Sequence, residues 1–405
     1  MFFDNFSLLP SLQKSLTEMG HTKPTQIQEK AIPHIAAGGD VRGSAPTGTG
    51  KTGAFLLPSL HRLASAPKQR GPGPRLLVLV PTRELGMQIA KQSERYSKYL
   101  SKVRTVCIGG GVPYPKQIAQ LRRPYEVLVA TPGRLLDLIE RNKISFPRLE
   151  LCILDEADMM LDMGFLPSVE KIFTHVPQER QTLLFSATMH AGVEKLSRKL
   201  LQDPIDVTVA PEKNRHETIV QSLYYAEDRA HKCALLDRLL EEESWESMII
   251  FTATKMQADQ LASNLSDKGH KAEAFHGDMH QRKRTKTMRN MRDGRVDILV
   301  ATDVAARGID IDSISHVINF DLPRTAADYV HRIGRTGRAE AKGCAISMAF
   351  FREKRIIEQI EALTQKPLAP STLAGLEPSK KKLFGKKVRP SFFKKKKGFS
   401  KRPFR

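Results

Sequence analysis

The sequence predicts an α/β fold of two tandem domains, each a parallel sheet covered by helices, with a basic low-complexity tail. Three observations predict it. Short apolar runs rich in β-branched residues recur along the chain, amphipathic stretches separate them, and the pattern breaks once near the middle before it resumes. Strands that are apolar on both faces and alternate with helices belong to parallel sheets buried between helical layers.

The runs of the first half are Leu76–Val80, Val127–Ala130, Leu151–Leu154 and Leu183–Phe185; those of the second are Met248–Phe251, Ile298–Ala301, Val317–Phe320 and Ala345–Met348. Each is too short for a helix and ends in small or polar residues, the usual marks of a strand. Glu84 to Leu100 and Lys255 to Lys268 are amphipathic and read as helices. Asp203 to Glu217 carries Pro204, Pro211 and several charges and reads as a linker. The domains are placed at 1–207 and 218–365, with 208–217 between them and 366–405 as the tail.

The chain of 405 residues exceeds one ordinary core and suits two, and its 40% hydrophobic content argues against global disorder. Cys107, Cys152, Cys233 and Cys344 are scattered, which fits neither a structural zinc site nor a disulfide framework. No basic segment precedes an apolar one at the N-terminus, and no run of about 18 apolar residues occurs, so the expectation is a soluble, cytoplasmic protein without a membrane span. Ser379 to Arg405 holds ten lysines, three arginines and no acid, +13 of the chain's net +21. Such a segment buries no core, is expected to be disordered when free, and points to a polyanionic partner, most simply nucleic acid.

In sheets of this kind ligands bind beyond the carboxyl ends of the strands. The segment Ala45-Pro46-Thr47-Gly48-Thr49-Gly50-Lys51-Thr52 fits a P-loop. Its glycines let backbone N–H groups converge on phosphate oxygens, Lys51 reaches the β- and γ-phosphates, and the Thr52 hydroxyl ligates Mg²⁺. Asp155-Glu156-Ala157-Asp158 follows a buried-type strand, the arrangement of a carboxylate that holds Mg²⁺, partly through water (Asp155), and one that orients and deprotonates a water (Glu156).

With these motifs in this order, the sequence resembles the DEAD-box RNA helicases of superfamily 2, bacterial members especially, over roughly residues 3 to 365. The resemblance implies two RecA-like domains, ATP and Mg²⁺ as cofactors, and the following roles. Phe3 and Gly20 to Gln28 look like the motif that reads adenine, with Gln28 pairing to the base edge and Phe3 stacking on it; His21 stands where the family has an aromatic. Ser186-Ala187-Thr188 resembles the segment that couples the nucleotide site to strand separation. His331-Arg332-Ile333-Gly334-Arg335-Thr336-Gly337-Arg338 resembles the motif that supplies arginine fingers, here Arg335 and Arg338, with His331 linking them to the attacking water. Asp310 would bind the ribose.

The same resemblance implies RNA contacts at Thr82, Arg83, Gly110, Gly111, Thr131, Pro132, Gly133 and Arg134 in the first domain, and at Thr252, Gly277, Thr302 and Arg307 in the second. Arginine, threonine and glycine suit phosphate and sugar contacts, which position a strand and carry little sequence information. Gly53, Gly86 and Met291 depart from the family's usual residues and read as packing changes. The function expected is RNA-stimulated ATP hydrolysis coupled to local, non-processive unwinding of RNA duplexes or remodelling of RNA–protein complexes, by a monomer acting on structured RNA such as ribosomal RNA in ribosome assembly. Two alternatives stand beside it: an ATP-gated RNA clamp, against which the intact Glu156, Arg335 and Arg338 argue, and a DNA helicase.

Overall fold

The computed structural model describes residues 2–46, 48–67, 69–209, 219–242, 244–306, 314–337 and 343–378. Seven strands precede residue 210: β1 (Val41–Ser44), β2 (Leu76–Leu79), β3 (Thr105–Ile108), β4 (Val127–Ala130), β5 (Leu151–Leu154), β6 (Gln181–Ser186) and β7 (Ile205–Thr208). They form one sheet in the order β3-β4-β2-β5-β6-β1-β7, parallel throughout. Seven more follow: β8 (Ile219–Ala226), β9 (Met248–Phe251), β10 (Ala272–Phe275), β11 (Ile298–Ala301), β12 (His316–Asn319), β13 (Gly343–Phe350) and β14 (Pro370–Ser371). Their order is β10-β11-β9-β12-β13-β8-β14, again parallel. The second sheet thus repeats the first strand for strand, β8 taking the place of β1 and β14 that of β7.

Each apolar run of the sequence falls on a strand, and the two-sided burial has a physical basis. Successive side chains point to opposite faces. Leu76, Val78, Val127, Val129, Leu151 and Ile153 therefore enter one core layer, while Leu77, Leu79, Leu128, Cys152 and Leu154 enter the other. In the second sheet Met248, Ile250, Ile298 and Val300 face one layer, and Ile249, Phe251, Leu299 and Ala301 the opposite one. The two amphipathic stretches form the helices Arg83–Tyr96 and Lys255–Asp267.

Strand β1 lies between β6 and β7 yet reads Val-Arg-Gly-Ser. Its Gly43 is required by packing: a Cβ there would stand 2.5 Å from the Phe185 ring, which packs against Phe55 with centroids 5.5 Å apart.

Two expected boundaries move. Ile205–Thr208, inside the stretch read as a linker, pairs with β1 and belongs to the first sheet. The second domain runs past residue 365: β14 pairs with β8, Leu368 is buried, and His231 Nε2 lies 2.9 Å from the Leu376 carbonyl. Both strands sit at sheet edges, where half-exposed, proline-flanked sequence resembles a loop. The expected linker from 210 and the basic tail from 379 lie outside the described residues. Among those residues no helix is long and apolar enough to cross a membrane.

Candidate nucleotide site and strand-binding face

Strands β5, β6 and β1 are neighbours, so the segments leaving their carboxyl ends meet. After β1 the chain turns through Gly48 (φ 74°) and Gly50 (φ 90°) into the 13-residue helix Lys51–Leu63, whose N-terminus faces the site. Lys51 is buried and donates to the Ala45 carbonyl at 2.9 Å; Thr49 Oγ1 donates to the Pro46 carbonyl at 2.7 Å. Thr52 lies half-buried in the helix's first turn, and Thr47 lies outside the described residues.

Gln28 rests on this loop. Its Nε2 donates to the Gly50 carbonyl and its Oε1 accepts from Thr25 N, both at 3.0 Å. Glycine makes that approach possible, since a Cβ at Gly50 or Gly53 would stand 2.7 or 2.6 Å from Gln28 Nε2. Gly53 is therefore more than a tolerable packing change: it seats Gln28 on the loop.

Phe3, expected to stack on the base, packs in the first domain's core. Its ring is buried with Leu8, Leu12 and Leu16 and packs edge-on to Phe6. The exposed ring of that segment is Phe2.

Asp155 is 2% exposed at the end of β5. Burial pushes its carboxyl up to about 7, against the opposing pull of Lys51. Glu156 follows in the left-handed region (φ 54°, ψ 52°), with its N–H donating to Asp155 Oδ1 at 3.0 Å. A non-glycine residue held there signals backbone strain of about 1 kcal/mol or more.

Asp158, which sequence reasoning did not single out, is the hub. Its Oδ2 accepts from Thr188 N at 2.9 Å and from Thr188 Oγ1 at 2.8 Å. Its N–H donates to Ser186 Oγ at 3.3 Å, and Ser186 Oγ donates to the Thr188 carbonyl at 2.8 Å. Burial raises the Asp158 carboxyl, but the Thr188 hydrogen bonds, the charges of Lys51 and His331, and Ser186 together hold it below its ordinary value. The signal in the sequence was the third acid of the tetrapeptide, spaced to face Ser186 and Thr188.

His331 belongs to the second domain, on the helix Ala326–Ile333. Its charge is among the lesser influences that lower the Asp158 carboxyl. Arg335 is buried just past that helix and donates from Nε to the His331 carbonyl at 3.3 Å. Arg332 is a structural clamp, bidentate to Asp303 at 2.5 and 2.8 Å, bonded to Asn319 and to the Asp321 carbonyl, and stacked over Phe251. Arg338, Asp310 and Arg307 lie outside the described residues.

The expected strand-contacting residues divide by burial. Thr82, Thr131, Thr252 and Thr302 are buried. Thr82 caps the helix Arg83–Tyr96 by accepting from Leu85 N, and Thr252 Oγ1 donates to the Thr254 carbonyl at 3.3 Å. Thr82 and Thr131 are helix N-caps, and Thr252 and Thr302 stand just before the helices Lys255–Asp267 and Asp303–Ala306, where backbone N–H groups favour anions. Pro132 opens the helix Pro132–Glu140 and is also buried, whereas Cβ positions at Gly110 and Gly133 meet open space. Arg83 Nη1 is buried with no hydrogen-bond partner among the described residues, and burial lowers the guanidinium's pKa. An unmatched buried donor is costly and suits an anion.

Arg134 donates to the Val112 carbonyl at 2.8 Å and stacks over Tyr114. Gln117, also missed from sequence, is 1% exposed. It accepts from Gly109 N at 3.1 Å and donates to the carbonyls of Gly109 and Val112, fixing the Gly109-Gly110-Gly111 loop from beneath. Across the seam, Gln281 Nε2 donates to Glu84 Oε1 at 3.0 Å and Arg284 pairs with Glu84 Oε2 at 3.1 Å. Gly111 also faces Gln281. Gly277 lies near Lys255, which pairs with Asp278.

Fold and site together define a tandem RecA-like architecture with a P-loop in its first domain. Residues 25–196 match the DEAD/DEAH box helicase family and residues 231–340 the helicase conserved C-terminal domain. The chain is 42% identical over 380 residues to the ATP-dependent RNA helicase SrmB of Haemophilus influenzae, covering 94% of this chain and 86% of that one. It is 44% identical over 375 residues to the ATP-dependent RNA helicase DeaD of Mycobacterium tuberculosis, covering 93% of this chain but 65% of that longer one. The chain belongs to the DEAD-box family of ATP-dependent RNA helicases.

Among solved structures, S. cerevisiae Dbp5 bound to RNA and ADP BeF3 superposes with a TM-score of 0.80 at 32% identity, over 91% of this chain and 95% of that one. A Dbp5 variant bound to Nup159, Gle1, IP6 and ADP gives 0.60 at 30% identity, over 89% and 94%.

Proposed function

We propose that this protein hydrolyses ATP in response to RNA and uses the cycle to separate short RNA duplexes locally. The observation that carries this reading is the division of the site: the P-loop and the acids belong to one domain, the His331 and Arg335 motif to the other, and Gln281 and Arg284 of the second reach Glu84 of the first across the seam. A site built this way is complete only when the domains close, which links hydrolysis to movement.

In this reading Lys51, Gly48, Thr49, Gly50 and Ala45 hold the phosphates, and Gln28 reads adenine with the one N–H and one lone pair that Gly50 and Thr25 leave over. The buried Asp155 carboxyl and the Thr52 hydroxyl fit Mg²⁺, which takes few protein ligands and completes its shell with phosphates and waters; bound there, it would neutralise charge developing on the transferred phosphoryl group. Glu156 orients and deprotonates the attacking water. Arg335 and Arg338 stabilise the transition state from the second domain, Asp310 binds the ribose, and Ser186 and Thr188 relay the state of the site through Asp158. Arg83, the Gly110-Gly111 loop, Gly133, Gly277, Arg307 and the helix N-termini at Thr82, Thr131, Thr252 and Thr302 hold phosphates and sugars. Ribosomal RNA is the target class we favour, following the resemblance to bacterial members of the family.

ATP turnover and displacement of a short RNA strand, measured together, test the reading. RNA-stimulated turnover with displacement is expected. Turnover without displacement would favour the clamp, and equal stimulation by DNA would remove the assignment to RNA. Crosslinking in cells, followed by sequencing of the bound fragments, tests the ribosomal target.

A further inference from the structure

The 12-residue helix Gln281–Arg292 carries Arg282, Lys283, Arg284, Lys286, Arg289 and Arg292 and no acid. It packs on the second core through Met288 and Met291, with Thr287 and Asn290 also buried. Arg284 turns inward to Glu84. Arg282, Lys286 and Arg289 are exposed and project within about 60° of one another, opposite the packed face.

Such a helix is unfavourable by itself. Three of its cations occupy the first turn, where the helix dipole already presents positive charge. Arg282 with Lys286, and Lys286 with Arg289, are like-charge neighbours at i,i+4 and i,i+3. Other exposed helices of this chain set an acid at that spacing, as in Arg141–Asp137, Arg198–Glu194 and Lys354–Glu358. No ion pair engages Arg282, Lys283, Lys286 or Arg289 among the described residues. A bound polyanion relieves this repulsion, and no acidic side chain among the described residues pairs with these cations.

We infer that the outer face of this helix is a second RNA-binding surface, which grips the backbone of a folded or double-stranded segment flanking the strand held at the domain seam. The inference rests on the helicase reading. Position argues for it: Gln281 and Arg284 of the same helix reach Glu84 and the Gly111 loop, so the stripe begins at the edge of the strand-binding face. Chemistry argues for paired RNA over unpaired. Single-strand sites combine cations with aromatic rings on which bases stack, and this face offers Arg, Lys and Thr285 without a ring. Stacked, paired bases need only their phosphates met.

The triple variant Arg282→Gln, Lys286→Gln, Arg289→Gln in the full chain tests this. Binding is measured over a range of salt to a short uridine oligomer and to a hairpin carrying that oligomer as an overhang. Hairpin affinity is expected to fall by about tenfold or more at low salt, with a salt slope shallower by about two to three. Oligomer affinity and oligomer-stimulated ATP turnover stay unchanged, and the melting temperature holds or rises. Exchanging the same residues for the other cation, Arg282→Lys, Lys286→Arg and Arg289→Lys, restores hairpin binding. Unaltered hairpin binding, or an equal loss on the oligomer, overturns the inference. Wild-type protein that binds neither RNA overturns the helicase reading itself.

Discussion

At the scale of residues the site turns on two carboxylates with different tasks. Asp158 joins the acidic tetrapeptide to Ser186 and Thr188 by charge-assisted hydrogen bonds. Asp158→Asn is expected to lower stability by about 1–3 kcal/mol in chemical denaturation and to reduce strand displacement more than ATP binding. The sign of its pH dependence follows from its lowered carboxyl: the folded state binds that proton less readily than the unfolded chain. Its stabilising contribution is therefore present above the ordinary value of 3.8 and lost as pH falls through the folded one. The stability gap between wild type and Asp158→Asn should close in acid; a gap that widened there would contradict the assignment. Glu156 is held in the left-handed region, so two variants separate strain from chemistry. Glu156→Gln should keep ATP and RNA binding while turnover falls by roughly 10²- to 10⁴-fold. Glu156→Gly should abolish turnover yet raise the melting temperature, because glycine adopts that conformation freely. Lys51, Asp155 and Glu156 stood out as candidates in the sequence because phosphate and metal chemistry demands those residue types at strand ends. Asp158 was not, since its task is defined by partners 28 and 30 residues away.

At the scale of elements, the loops beyond the strand ends are held in shape from below. Gln117 shows how: a single buried amide satisfies the backbone of Gly109 and Val112. Gln117→Leu removes those bonds and leaves backbone groups unmatched, at about 1–3 kcal/mol. The Michaelis constant for RNA should rise several-fold while kcat at saturating RNA is kept; a fall in kcat alone would place Gln117 in the chemistry instead. The strands themselves were legible to the extent that they are apolar on both faces. Those running beneath helices on both sides, β2, β4, β5, β9 and β11, could be read directly. The strands β3, β7, β10 and β14 lie at or near sheet edges, with burial on one face or little at all, and gave no continuous run. The central strand β1 escaped for another reason: Gly43 is there because Phe185 fills the space of a side chain. Phe3 shows the opposite limit: a ring expected at a base also packs in the core, and the sequence does not tell the two apart.

At the scale of the whole molecule, one sheet topology occurs twice, and in the proposed function each copy supplies half of the site. The sequence shows two halves of like pattern, but not that their strands share one order. Among the described residues the two domains meet in polar contacts at Glu84, Gln281 and Arg284, which domain opening would break. Arg335→Ala should leave ATP binding intact and lower RNA-stimulated turnover by roughly 10³-fold or more, as loss of an arginine finger does. The most direct measurement of the central claim is the distance between one fluorophore on each domain, followed in Glu156→Gln by energy transfer. Closure is expected only when ATP and RNA are present together, and Arg335→Ala in the same background should weaken it. Closure by ATP alone, or an unchanged distance with both ligands, would contradict the account of a site completed by domain movement.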